Sequence, residues 1–376
     1  MNQPIHFLLI DSAYPINTRN TKILNSIQKY NGKYDTQISI CAWNRENKSI
    51  PPEGDYFIWK KKSPGGQLMK KLFNMFGYFF YLKKINRQLS PEVIIASHWD
   101  MLLLSSLFKR KKQILIYENL DIPSATSNFL VKTLRKIESF SMKNVDITVL
   151  ASRFYEPLYK NKKHEIVTLE NKPIFTESLL QHSERKKGEK LQISYIGGIR
   201  YLEILKNLVA AVKNNPKIDL YFHGEGHDLE LIELYSEGSN NVYFTGRYEY
   251  SEIKHLYDSS DIVWAAYPNK DYNVKYAISN KFHESMCYNV PCIFSIETCL
   301  ADLVEDKRIG FTVDPYSIES IRILFDQIIE NRDSLSVVKN RLQEYTQSEK
   351  SWEEQFSVFM QVLDEKIRVK YFESKK

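Results

Sequence analysis

The residues best suited to chemistry stand together in the segment YAISNKFHESMCYNVPCIF, residues 276–294. Asn280 suits the N-cap of a helix that begins at Lys281. A helix N-terminus aimed at a ligand favours anions, a pyrophosphate above all. Lys281 and Glu284 are three residues apart and share one face of that helix. The ammonium of Lys281 suits the neutralisation of phosphate charge, and the carboxylate of Glu284 suits the acceptance of hydrogen bonds from ribose hydroxyls. Phe282 and Met286, four apart, face the core, and Asn289 and Pro291 stop the helix. The same spacing equally suits a capped helix with a surface Lys–Glu pair.

Glycines and arginines recur where strands are expected to end. Gly197, Gly198 and Arg200 follow one strand, Gly224 and Gly226 the next, and Gly246 and Arg247 a third. Glycine lets a backbone come close to a ligand, and a guanidinium offers two parallel donors to a phosphate. A tight turn explains any single glycine as well. In the first half, His98 in HWD and Glu118 and Asp121 in YENLD also follow strands.

The elements that must position these residues alternate. In the first half, strands are expected at 5–10, 36–43, 93–97, 113–117, 146–150 and 165–171, with helical patterns at 20–31, 67–89 and 126–143. The polar stretch 181–190 reads as a linker. The pattern then restarts, with strands at 191–198, 218–226, 241–246, 261–267, 290–296 and 310–314 and helices at 202–214, 280–288, 317–331, 334–348 and 351–368. Strands alternating with helices imply parallel sheets, and open parallel sheets bind ligands beyond the carboxyl ends of their strands. The chain of 376 residues is long enough for two such domains. The expected division is 1–185, 186–350 and a final helix over 351–376 that crosses back to the first domain, packing through Trp352, Phe356 and Phe359.

Composition narrows the function classes. With 43% hydrophobic and 26% charged residues the chain is globular rather than disordered. A net charge of +6 is mild for a nucleic-acid binder and suits an anionic substrate or membrane surface. The four cysteines form no CxxC pair and no His cluster accompanies them, which argues against zinc and for reduced thiols. The N-terminal MNQPIHFLLID lacks the basic start and long apolar run of a signal peptide, and no stretch approaches the ~20 apolar residues of a membrane span.

The stretches ISYIGGIRYLEILKNLVAA, LYFHGEG, VYFTG, LYDSSDIVWAAY, NKFHESMCYNVPCIFS and IGFTVDP occur in family order over about 191–315. Here the chain resembles the donor domain of GT-B glycosyltransferases, in particular glycosyltransferase family 4 members that build bacterial capsules, O-antigens and exopolysaccharides. The resemblance implies an α/β GT-B fold of two Rossmann-like domains whose parallel sheets face each other across a cleft. It implies that Glu284 holds the donor ribose, that Arg200 and Lys206 contact the diphosphate, that Gly198 lets the backbone approach it, and that Arg247 borders the base. Gly224, Asn280 and Lys281 complete the expected donor site. Three departures stand out: Ser279 replaces a common proline, Tyr276 replaces the first of two glutamates, and DSAYPINTRN replaces the first glycine-rich loop. The first half resembles the family's acceptor domain less closely. His98, Glu118 and Asp121 are its candidates for acceptor binding or proton handling, Leu120 standing where many relatives have histidine; each also suits a helix cap or a structural hydrogen bond. The implied function is retaining transfer of a hexose-like unit from a UDP-sugar, or as the second choice a GDP-sugar, to a lipid-linked or growing surface glycan. No cofactor or metal is expected.

KKLFNMFGYFFYLKKINR (70–87) has basic ends and an aromatic middle, and KRKK (109–112) adds charge. This pattern suits a helix in the interface of an anionic membrane, and equally a core helix with solvated ends. The expected location is the cytoplasm, peripheral to the inner face of the cell membrane. Two rival readings remain: a sugar-nucleotide 2-epimerase of the same fold, and an inactive scaffold in glycan synthesis.

Overall fold

The computed structural model describes residues 4–30, 35–49, 52, 54–63, 68–124, 127–174 and 189–373. The expected linker 181–190 lies outside these except for its last two residues. The chain divides into two units, Met1–Glu170 with Glu353–Lys376, and Asn171–Trp352.

The first unit is built on seven parallel strands: β1 (Ile5–Asp11), β2 (Thr36–Asn44), β3 (Tyr56–Lys60), β4 (Val93–Ser97), β5 (Ile114–Asn119), β6 (Ile147–Leu150) and β7 (Glu165–Thr168). Their order across the sheet is β3-β2-β1-β4-β5-β6-β7. β1 is buried along its whole length, as a strand covered on both faces must be, and this is why its sequence runs apolar rather than alternating. The helices between strands are α1 (Thr18–Lys29), α2 (Leu68–Leu89), α3 (His98–Phe108) and α4 (Asn128–Ser141).

The second unit repeats the design with six parallel strands: β8 (Leu191–Ile196), β9 (Ile218–His223), β10 (Val242–Gly246), β11 (Ile262–Trp264), β12 (Cys292–Ser295) and β13 (Phe311–Val313). Their order is β10-β9-β8-β11-β12-β13. Its helices are α5 (Leu202–Val212), α6 (Leu229–Ser236), α7 (Ile253–Asp258), α8 (Asn280–Tyr288), α9 (Cys299–Lys307), α10 (Ile318–Glu330) and α11 (Asp333–Ser348). A core joins Ile193, Tyr195, Leu205, Leu208, Leu220, Phe222, Trp264 and Phe325. Both orders are those of doubly wound Rossmann-like sheets, in which the chain reverses direction between the first and fourth strands of the unit. The two switch points are therefore β1/β4 and β8/β11.

The final helix, α12 (Trp352–Ile367), belongs from Glu353 onward to the first unit. Phe356 lies edge-on to Tyr30 at 6.5 Å, and the Gln355 side chain accepts the Glu170 N–H at 2.8 Å. Trp352, Phe356 and Phe359 are all buried.

Candidate functional site

At the switch point of the second unit, the chain leaves β8 through Gly197 and Gly198. Gly197 has φ +125°, and a Cβ there would lie 3.2 Å from the Lys281 ammonium. This turn packs on the one after β9. Gly197 N–H donates to His223 O at 2.8 Å and Ile199 N–H to Glu225 O at 2.9 Å. Gly224, at φ +135°, has no room for a side chain, since its Cβ would come within 2.1 Å of Gly197 O. Backbone packing thus accounts for Gly224, whereas Gly198 and Arg200 are exposed beside it.

Ser279, not Asn280, caps α8: its Oγ accepts the Lys281 N–H at 3.2 Å, and Asn280 is the first helical residue. The expected cap is thus corrected by one position. A serine oxygen serves the free amide as well as an asparagine does, and it releases the exposed Asn280, whose Oδ1 accepts from Asn171 Nδ2 at 3.1 Å. Phe282 and Met286 face the core as expected.

Lys281 is buried, 8% exposed, on the first turn of α8. Its ammonium lies 5.7 Å from the ring centres of both Tyr195 and Tyr267. No carboxylate comes within 4 Å of it among the described residues. Burial opposes its charge, while Tyr267, Glu284 and Tyr195 favour it strongly enough to hold the amine above the ordinary lysine range. The Tyr195 hydroxyl donates to Gly198 O at 2.6 Å, which ties the glycine turn to the same cluster. The result is a desolvated cation beneath an exposed glycine turn, a place that favours an anion.

Glu284, half-buried one turn along, accepts the Tyr257 hydroxyl on Oε2 at 2.7 Å. Tyr257 is fully buried. Burial, and then the Glu284 charge, push its phenol well above the usual value, so it remains a donor and fixes the carboxylate.

Arg200 lies with its guanidinium carbon 5.0 Å from the Tyr201 ring. Lys206, on α5, sits over Tyr235 of α6 at 5.2 Å. Arg247 lines a cavity of about 400 Å³ together with Tyr221, His223, Thr245, Tyr248 and His255. There His223 Nδ1 and Thr245 Oγ1 are 2.8 Å apart. Burial, aided by His255, pushes the His223 imidazole down to about 4. Tyr276 is half-buried, its ring 5.4 Å from Tyr272.

The switch point of the first unit is furnished differently. Asp11, at the end of β1, accepts from Asn20 Nδ2 at 2.7 Å and Asn17 Nδ2 at 3.2 Å, and Asn20 Nδ2 also reaches Ser97 Oγ at 2.8 Å. Glu118 pairs with Arg19 Nε at 2.6 Å, both groups buried. Burial raises the carboxyls of Asp11 and Glu118, against the pull of His98 on both and of Arg19 on Glu118. His98 opens α3 at φ +70° and is half-buried. For a residue with a Cβ this is a sparsely populated conformation, of the kind found at functional sites. Asp121 is exposed in the loop after β5.

Sequence reasoning missed Tyr195, Tyr257, Tyr267 and His223 in the second unit, and Asp11, Arg19 and Asn20 in the first. Asp11 left a signal, a lone carboxylate ending an apolar strand. The tyrosines left none, because their partners are distant in sequence. Among the described residues no group of three or more His, Cys, Asp or Glu is placed to hold a metal ion.

Residues 178–348, most of the second unit, match the family model described as glycosyl transferases group 1. No curated protein matches the chain by sequence. Solved structures match over nearly all of it. Sucrose-phosphate synthase from Thermosynechococcus elongatus is 13% identical with a TM-score of 0.74, covering 97% of this chain and all of the other. HepE of Anabaena, solved with UDP-glucose, is 13% identical with a TM-score of 0.67, over 96% of this chain and all of the other. A UDP-N-acetylglucosamine 2-epimerase is 10% identical with a TM-score of 0.60, over 90% and 91%. These likenesses establish the fold, the GT-B type that the sequence leads one to expect.

Proposed function

We propose that this protein transfers a sugar from a UDP-sugar to a lipid-linked or growing surface glycan, with retention of anomeric configuration. The observation that carries the reading is the buried Lys281 ammonium, with no carboxylate within 4 Å among the described residues, beneath the Gly197–Gly198 turn. A donor diphosphate supplies the missing counter-charge. Glu284, held by Tyr257, takes the ribose hydroxyls, and the cavity beside Arg247 and Tyr248 takes the base. A UDP-glucose complex of the similar HepE favours UDP over GDP.

In this reading Lys281, Arg200 and the N-terminus of α8 stabilise the leaving diphosphate as the glycosidic bond breaks. The nucleophile enters on the same face as the leaving group, as expected for front-face transfer. His98, with Asp11 and Glu118 in its surroundings, borders the acceptor. Catalysis proceeds without a metal: turnover surviving a chelator supports this, and its loss refutes it.

The decisive experiment is thermal stabilisation by UDP, GDP, ADP and CMP, on wild type and Glu284→Ala. A shift with UDP that the variant loses supports the donor site. No shift with any nucleotide removes the transferase reading and leaves the scaffold. An epimerase shares the fold, and product analysis separates the two: transfer releases UDP, whereas epimerisation returns a nucleotide-sugar inverted at C2.

A further inference from the structure

Arg200 and Lys281, the two cations assigned above to the donor diphosphate, are linked by aromatic rings. The Arg200 guanidinium carbon lies 5.0 Å from the ring centre of Tyr201. Tyr201 in turn meets Tyr267, their rings 5.7 Å apart and inclined at 58°. The Tyr267 ring centre is 5.7 Å from the Lys281 ammonium. An aromatic face attracts a cation electrostatically, so each end of this pair of rings holds one positive group. Arg200 is an exposed residue, and a long exposed side chain gives up rotamer freedom when it meets a ligand. Contact with a ring reduces that loss in advance.

Two further observations set these rings apart from ordinary packing. Tyr201 is the N-cap of α5 at φ +74°, with no side-chain cap hydrogen bond. Glycine takes this backbone conformation freely, whereas a tyrosine there is strained. The strain sits at the position that turns a ring between Arg200 and Tyr267. The Leu202 N–H beside it donates to Asp228 Oδ2 at 3.0 Å, so this helix amide is spent and Arg200 carries the charge offered to an anion next to it. Beneath them the Tyr195 hydroxyl donates to Gly198 O at 2.6 Å, and the Arg200 N–H faces the same hydroxyl. The backbone from which Arg200 springs is thereby held. We propose that Tyr201 and Tyr267 are positioning residues: as a bridge of two rings they set the spacing of Arg200 and Lys281, and so make the site selective for two linked phosphates over one. This role rests on the donor site proposed above, with a sugar-bearing nucleoside diphosphate as its ligand.

Titration calorimetry on the whole chain, with pyrophosphate, phosphate, UDP and UMP, tests the bridge. Wild type is expected to prefer pyrophosphate over phosphate, and UDP over UMP, by about a hundredfold, the effect of one further charge-assisted contact. Tyr201→Leu and Tyr201→Gly, the second suited to the backbone there, each remove the ring and lower both preferences about fivefold. Tyr267→Leu does the same. Tyr201→Phe keeps the ring and leaves both preferences at wild-type values. Arg200→Ala lowers them further, and adding Tyr201→Leu to it costs nothing more, because the ring acts through the guanidinium. Equal weakening of pyrophosphate and phosphate by the ring variants makes Tyr201 a packing residue and overturns the proposal. So does full additivity with Arg200→Ala, or a wild type that binds phosphate and pyrophosphate alike. If pyrophosphate shows the dependence on Tyr201 while neither nucleotide binds, the bridge stands and the donor reading falls. If UDP binds tightly and the ring variants weaken UDP and UMP equally, the donor reading stands and the bridge falls.

Discussion

The two sheets share a strand order but furnish the same topological point in opposite ways. At β1/β4 of the first unit Glu118 meets Arg19 and Asp11 meets Asn17 and Asn20, while Glu118 Oε2 and Asn20 Oδ1 stay buried without a hydrogen-bond partner. At β8/β11 the second unit leaves Lys281 with tyrosines around it and, among the described residues, no carboxylate within 4 Å, below a glycine turn open to solvent. A buried ion in direct contact with its counter-ion leaves little for a ligand to add, whereas a buried cation with no carboxylate in contact leaves room for an anion. By this criterion we assign the proposed donor site to the second unit.

The sharpest way to break that contrast is Lys281→Met. If the lysine serves an anion, kcat/KM falls about 10²–10³-fold, the effect of losing one charge-stabilising donor, and the nucleotide-induced shift disappears. The unliganded melting temperature should stay within a few degrees, because removal of the charge also removes its burial cost. A large fall without nucleotide makes Lys281 structural and erases the difference between the two switch points.

Glu118→Gln probes the other side. Breaking a buried ion pair leaves Arg19 without its carboxylate and costs about 3–5 kcal/mol. Chemical denaturation should show that loss, while the stabilisation by nucleotide is retained. Wild-type stability with lost turnover instead gives Glu118 the proton-handling role open to it from sequence.

Part of this was legible before any coordinates. Parallel strands with helical crossovers follow from apolar runs such as IHFLLI and DIVWAAY, and Lys281 and Glu284 could be named because helical spacing alone puts them on one face. The missed elements have physical causes. β3, YFIWK, is a short edge strand whose residues are mostly half-buried, so it shows no apolar run. α3, HWDMLLLSSLF, is buried nearly all round and lacks the polar face that marks a helix. The partners that give the site its meaning are long-range: Tyr257 lies 27 residues from Glu284 and Arg19 lies 99 from Glu118. Local periodicity cannot reach across such distances.

A pH series sharpens the comparison at the cavity beside Arg247. The folded-state value of His223 is about 4, below the ~6.5 of a free imidazole. The unfolded chain therefore takes up the proton first. Stability is fully present above about 6.5 and is lost as pH falls toward about 4. After allowance for solvent screening this amounts to about 1–2 kcal/mol. His223→Gln should flatten the acid limb by that amount, read from urea midpoints across the range. An unchanged limb means that His223 takes up its proton equally readily in the folded and unfolded chain.

The smallest expected effect tests whether Glu284 is held in place for a ligand. Tyr257→Phe removes one hydroxyl that donates to Oε2 at 2.7 Å and keeps the ring in the core beside Tyr288, 4.8 Å away. A hydrogen bond to a charged group contributes about 1.5–3 kcal/mol. Glu284 is only half-buried, so water replaces part of this, leaving about 1 kcal/mol, roughly a fivefold weakening of UDP binding. Titration calorimetry resolves that difference. If Tyr257 only packs, melting temperature and affinity both stay at wild-type values. If it orients the carboxylate, affinity falls while Glu284→Ala with Tyr257→Phe is no worse than Glu284→Ala alone. Such non-additivity tells a positioned ligand from a structural pair, and no corresponding coupling to nucleotide should appear for Arg19 and Glu118 in the first unit.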